Sequence, residues 1–180
     1  MKPRVVEVTA HCVPKSGADP SRAAARGRPV RSILSPVAQT IYLACTVRGD
    51  RGGVAAGRQL ADGLRARGHR ILTEHLLRDD VESAESALSE EAIFTRDLEW
   101  LDACDALVAE ASASSFGVGF EAGYVIARAA ETGKRVYLLY DTSRASRISR
   151  LILGNCHPAC LRVPYASDKD IEAFLDNYFC

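Results

Sequence analysis

The feature that most constrains this chain is an alternation of two patterns. Short, nearly continuous apolar runs occur at 41–47 (IYLACTV), 70–75 (RILTEH), 106–111 (ALVAEA), 135–141 (RVYLLYD) and 161–165 (LRVPY). Between and after them, helical spacing predicts helices over 54–67, 86–104 and 119–132, a short one over 145–153 and a terminal one over 168–179. Strands that stay apolar on consecutive residues must be covered on both faces, and strands that alternate with helices pair in parallel. The expected class is therefore α/β, a five-stranded parallel sheet with helices on both faces. Ligands of such sheets bind beyond the carboxyl ends of the strands, where strand order reverses. Residues after the first three strands, namely 46–51, Glu74 and His75, and 112–121, are thus expected to converge on one pocket.

The stretch 110–130, EASASSFGVGFEAGYVIARAA, is the strand-to-helix turn of greatest interest. Unpaired N–H groups at a helix start favour anions, and Ser115, Gly117 and Gly119 let a ligand come close. Glu121 is read as standing on the first turn of that helix, where the helix dipole would keep it ionised. The plainer reading is a tight turn whose glycines serve the backbone. On the helix 86–104, an apolar stripe of Ile93, Phe94, Leu98, Leu101 and Cys104 encloses Asp97, a carboxylate that burial obliges to find a partner. Glu90, Glu91, Glu99 and Asp102 read as solvated helix charges, Trp100 and Tyr124 as packing. Asp97 is either a core hydrogen-bonding group or a second carboxylate facing Glu121. Two inward carboxylates suit cleavage of a glycosidic bond, whose transition state is cation-like at the sugar carbon: one attacks while the other steers or donates a proton.

Composition narrows the partners. With 23 basic and 23 acidic residues the net charge is zero, which gives no reason to expect a nucleic-acid polymer or an acidic membrane surface. No apolar run reaches the ~20 residues of a membrane span. Charge is uneven, however: residues 1–40 carry seven basic residues (Lys2, Arg4, Lys15, Arg22, Arg26, Arg28, Arg31) against Glu7 and Asp19. Together with five prolines this marks 1–40 as a mobile basic leader and 41–180 as the folded domain. The prolines interrupt the amphipathic helix that a transit peptide needs, so the expected location is the cytoplasm, with the nucleus as the alternative and organelle targeting ranked below. The six cysteines lack paired metal-ligand spacing and read as reduced thiols of an intracellular protein; neither metal nor cofactor is expected.

YLACTVRG (42–49), ILTEH (71–75), RDLEWL (96–101), VAEASASSFGVGFEAG (108–123) and SRLILG (149–154) together resemble the 2′-deoxynucleoside 5′-phosphate N-hydrolases, a branch of the nucleoside 2-deoxyribosyltransferase superfamily. The resemblance covers about 41–179 and implies a Rossmann-like, flavodoxin-like fold. It implies hydrolysis of the N-glycosidic bond of a nucleoside 5′-monophosphate, with Glu121 as nucleophile, Asp97 orienting the sugar, and Tyr42 bonding the glutamate. It further implies that Ser115 and Gly117 hold the 5′-phosphate and that the loop of Cys45, Thr46, Val47, Arg48, Gly49, Asp50 and Arg51 covers the nucleotide. His75 would line the base side, Leu60 would lie on the helix that closes the pocket, and Ser149, Arg150 and Leu151 would reach the neighbouring subunit's phosphate in a homodimer. Two positions depart from the family pattern. Cys45-Thr46 replaces the usual Gly-Ser, and Asp50 puts negative charge where a glycine is common, which leaves sugar and base preference open. Sugar transfer to a second base, a phosphoribohydrolase acting on modified adenine nucleotides, and a catalytically silent nucleotide sensor are the competing readings; the phosphoribohydrolase leaves RDLEWL unaccounted for.

Overall fold

A computed structural model of the protein describes residues 37–180. Five strands, β1 (Thr40–Ala44), β2 (Arg70–Ile71), β3 (Ala106–Glu110), β4 (Arg135–Asp141) and β5 (Cys160–Tyr165), form one sheet in the order β2-β1-β3-β4-β5. Every pairing is parallel, with Ile41 opposite Ile71 and Ala106, Val108 opposite Tyr137, and Leu139 opposite Val163. The leader expected over 1–40 lies outside the described residues except for its last four, of which Thr40 opens β1.

Alternate residues of each strand feed two separate cores, as the period of a strand requires. Ile41, Leu43, Val108 and Leu139 pack with Leu60 and Leu64 of α1 (Val54–Ala66) and with Ile171, Phe174 and Leu175 of α7 (Asp168–Tyr178). Tyr42, Ala44, Leu107, Ala109 and Leu138 face Leu101 of α3 (Glu90–Ala103) and Val118, Ala122 and Val125 of α4 (Phe116–Ala127). Short helices α2 (Val81–Glu85), α5 (Ala129–Thr132) and α6 (Arg150–Leu153) complete the order. Among the described residues no helix is long and apolar enough to cross a membrane.

The first strand ends at Ala44 rather than 47, and the helix expected over 145–153 is a 3₁₀ segment, Thr142–Arg147, followed by α6. Three further differences have a side-chain reason. The second strand stops at Ile71 because the Thr73 hydroxyl takes over the ladder: it donates to the Leu43 carbonyl at 2.6 Å and accepts from the Leu43 N–H at 3.0 Å. The chain then turns into a 3₁₀ segment, Glu74–Leu77. The helix expected over 86–104 begins only at Glu90, as α3, because Ser89 caps it, accepting from the Ala92 N–H at 3.1 Å, and α2 lies in the connection before it. The helix expected to begin at 119 begins at Phe116, capped by the Ser115 hydroxyl, which accepts from the Val118 N–H at 3.3 Å. That shift moves Glu121 from the first turn to the second.

Candidate active site

Strand order reverses between β1 and β3, and a cleft of about 600 Å³ opens at their carboxyl ends. Cys45, Val47 and Arg48 line it from the end of β1, Leu76 and Glu85 from the region after β2, Ser114 to Val118 with Phe120 and Glu121 from the turn and start of α4, and Glu90, Ile93, Phe94, Asp97 and Leu98 from α3. Helices α3 and α4 follow strands on the same side of a parallel sheet, so both point their N-terminal halves at this opening. Asp97 and Glu121, each about two turns in, are thereby delivered to one cleft. The apolar stripe on α3 serves the cleft more than the core: only Leu101 of the helix is fully buried, and Phe94 is 53% exposed. Phe94 and Phe120 bring the two helices together at the mouth, ring centres 6.2 Å apart.

Tyr42 is fully buried under the two helices, and its phenol donates to Glu121 Oε1 at 2.8 Å. Burial, then the negative charges of Glu121 and Asp97, push the phenol far above the ordinary tyrosine value, so it is a donor at all physiological pH. Glu121 itself departs from the sequence expectation. In the second turn of α4 the helix dipole gives it little support, and burial dominates: its pKa is pushed up to about 7, with the Tyr42 bond lowering it and the charge of Asp97 adding to the rise. Asp97 is raised too, by burial first, while Arg96 pulls it back. Cys45, the other potential nucleophile in the cleft, is raised to about 11 by burial and stays a thiol.

Other expected residues are placed differently. Leu60 is fully buried in the core between sheet, α1 and α7 and does not line the cleft, because its helix packs on the opposite face of the sheet. His75 also stays off the cleft surface: its Nε2 lies 3.2 Å from Glu85 Oε1 and its ring packs edge-on against Trp100, so Leu76 takes the wall position instead. From the loop after β1 only Cys45, Val47 and Arg48 reach the cleft. Thr46 is buried, its Oγ1 without a hydrogen-bond partner. Arg51 ties the loop down through the carbonyls of Thr46 at 3.1 Å, Leu76 at 3.3 Å and Arg78 at 3.0 Å. Gly49 holds the turn with a φ of 112°. Asp50 accepts from the Gly52 N–H and pairs with Arg144 and Arg147, which offset the negative charge it brings in place of the usual glycine. Ser115 and Gly117 do line the cleft, at the start of α4. Ser149 caps α6, accepting from the Leu151 N–H at 3.3 Å, and Ser149, Arg150 and Leu151 lie off their own chain's cleft, Leu151 being 83% exposed.

Sequence reading missed two groups. Arg96 and Glu85 flank Asp97: Arg96 Nε donates to Asp97 Oδ1 at 2.9 Å and its Nη2 to Glu85 Oε1 at 2.7 Å. Glu110, 2% exposed at the end of β3, accepts from the Ser112 and Tyr165 hydroxyls and fills the start of α1. An acid ending an otherwise apolar strand was the signal for Glu110; nothing in the spacing marked Glu85.

Known proteins resemble this chain in sequence and in fold. Residues 41–162 match the family described as nucleoside 2-deoxyribosyltransferase. A protein of Thermofilum pendens named "Putative 2'-deoxynucleoside 5'-phosphate N-hydrolase 1" is 40% identical over 137 residues, covering 76% of this chain and 92% of its own. The human 5-hydroxymethyl-dUMP N-hydrolase is 31% identical over 156 residues, covering 86% and 83%. The solved structure of the Clostridium botulinum CMP N-glycosidase BcmB aligns with a TM-score of 0.54 over 77% of this chain and 98% of its own; at 19% identity that likeness speaks to the fold. With a family match across most of its folded residues and relatives of this identity along most of both chains, the protein belongs to the nucleoside 2-deoxyribosyltransferase family.

Proposed function

We propose that this chain, an N-glycosidase by kinship, hydrolyses the N-glycosidic bond of 2′-deoxynucleoside 5′-monophosphates to free base and deoxyribose 5-phosphate. The observation that carries the reading is the buried Tyr42–Glu121 hydrogen bond of 2.8 Å, in a cleft that also holds Asp97 and the Ser115-capped helix start. In its ionised form a Glu121 oxygen attacks C1′ as the base leaves with the bonding electrons and takes up a proton. Water then cleaves the resulting sugar ester, releasing the sugar phosphate and restoring Glu121. Asp97 orients the sugar; Tyr42 stays a hydrogen-bond donor and fixes which glutamate oxygen is free to attack. Ser115, Gly117 and the exposed N–H groups of α4 receive the phosphate. Val47 and Arg48 cover the nucleotide, and Cys45 narrows the cleft floor. A second copy completes the site through Ser149, Arg150 and Leu151, a role that suits the exposure of Leu151 and of Phe116 at the cleft.

Chromatography of base release from the common deoxy- and ribonucleoside 5′-monophosphates tests the reading, with Glu121→Ala as control; undiminished release by that variant defeats it. The family match itself favours a second reading, transfer of the sugar to another base from the same intermediate. A new nucleotide formed when a second free base is added would decide for transfer.

A further inference from the structure

We propose that Arg96 is a positioning residue for Asp97, clamped from behind by Glu85, and that it fixes which carboxylate oxygen of Asp97 faces the substrate. The inference rests on the proposed role of Asp97 in orienting the sugar.

Neighbours in sequence on a helix do not face one another. The pairing of Arg96 with Asp97 therefore requires the arginine to fold back along its own helix, and three contacts hold it there. Its Nε and Nη2 both meet Asp97 Oδ1, at 2.9 and 2.8 Å. The same Nη2 meets Glu85 Oε1 at 2.7 Å, and the guanidinium lies 4.7 Å over the Trp100 ring. His75 holds the same Glu85 oxygen from the other side at 3.2 Å. The guanidinium thus concentrates two donors on one Asp97 oxygen, and no hydrogen bond from the described residues reaches Oδ2. A carboxylate so held presents a single acceptor in a single direction, which is what orienting a sugar hydroxyl requires.

These are not ordinary surface charges. The side chains of Arg96, Asp97 and Glu85 are 20, 24 and 13% exposed, and both acids line the cleft. Asp97 is faced by Arg96 and Glu85 from its own side, with His75 beyond them, by Tyr42 from β1 and by Glu121 from α4; Glu90 and Arg48 stand elsewhere on the cleft wall. Without Arg96, Asp97, Glu85 and Glu121 would share a partly dry cleft with no cation directly on Asp97, and each would hold a proton more tightly. Glu85 acts on Asp97 in both directions: it anchors the arginine and adds a like charge.

The test uses the full-length protein, the four common 2′-deoxynucleoside 5′-monophosphates as probes, base release by chromatography, and kcat/KM followed across pH. Arg96→Gln should lower kcat by up to about a hundredfold, the scale of a misplaced reacting group. KM should change much less, and the acid limb of the pH profile should move to higher pH. Arg96→Lys, which keeps the charge and loses the fork, should leave the limb in place with a reduced kcat. Glu85→Gln should move the limb to lower pH, because the arginine then serves Asp97 alone. Opposed shifts from Arg96→Gln and Glu85→Gln are not expected of a merely structural pair, and Glu85→Gln with Arg96→Lys keeps the test decisive if Arg96→Gln does not fold. Wild-type kcat with an unmoved limb in Arg96→Gln, or shifts of the same sign in the two variants, overturns the inference. Undiminished base release by Asp97→Asn would instead defeat the role of Asp97, and this inference with it.

Discussion

Glu121 and Tyr42 form a couple whose titration should be visible in kinetics. In the proposed mechanism a nucleophile with a pKa of about 7 is only half ionised at neutral pH, so kcat/KM should rise through a limb near that value as pH increases. Tyr42→Phe removes the bond that lowers the glutamate, so the limb should move upward and activity should fall about tenfold or more, the worth of one hydrogen bond to a charged group. The same burial has a stability signature. A carboxyl raised from 4.5 to about 7 on folding contributes stability below 4.5 that is lost as pH passes 7. Glu121→Gln should therefore melt higher than the wild type at pH 8, by on the order of 2 kcal/mol, with the gap closing toward pH 4; differential scanning at both pH values checks it. The candidate pair itself was legible in sequence, because an acid within an apolar stripe and an acid after a Ser/Gly turn both break local patterns. Its ionisation was not. That depended on whether α4 begins at 116 or 119, and a Ser hydroxyl four residues upstream of the expected start decided the matter.

At the level of elements, apolar runs located all five strands, and β4 was found with its bounds intact, since Arg135–Asp141 owes its length to ladders on both sides. β2, an edge strand, was overestimated because Thr73 substitutes its hydroxyl for backbone pairing, a device that periodicity does not register. The face that each helix covers was equally hidden: Leu60 has the spacing of a buried residue, but only topology says that its helix lies across the sheet from the cleft. The start of α1 carries a prediction of its own. A side chain at Gly53 would overlap the Glu110 carboxylate, which is pinned by Ser112 and Tyr165 and has nowhere to retreat. Gly53→Ala should cost about 1–3 kcal/mol in chemical denaturation, whereas Gly119→Ala, in open space, should not destabilise the fold.

For the whole molecule, the proposed completion of each site by a second copy predicts a species of twice the 19.5 kDa chain mass in sedimentation equilibrium. Leu151→Glu should shift it toward the single chain and reduce base release together, since a charge would replace an apolar contact at the proposed interface. Trp100 extends the reach of such measurements. It is the only tryptophan of the chain, with Arg96 over its face and the His75 ring centre 5.5 Å away. Indole emission is sensitive to the charge above its ring, so the tryptophan emission of the unlabelled protein, excited selectively over the tyrosines, comes from one place, the wall behind Asp97. Nucleotide entering the cleft should change its intensity, and a stopped-flow trace would time the binding step apart from the chemistry.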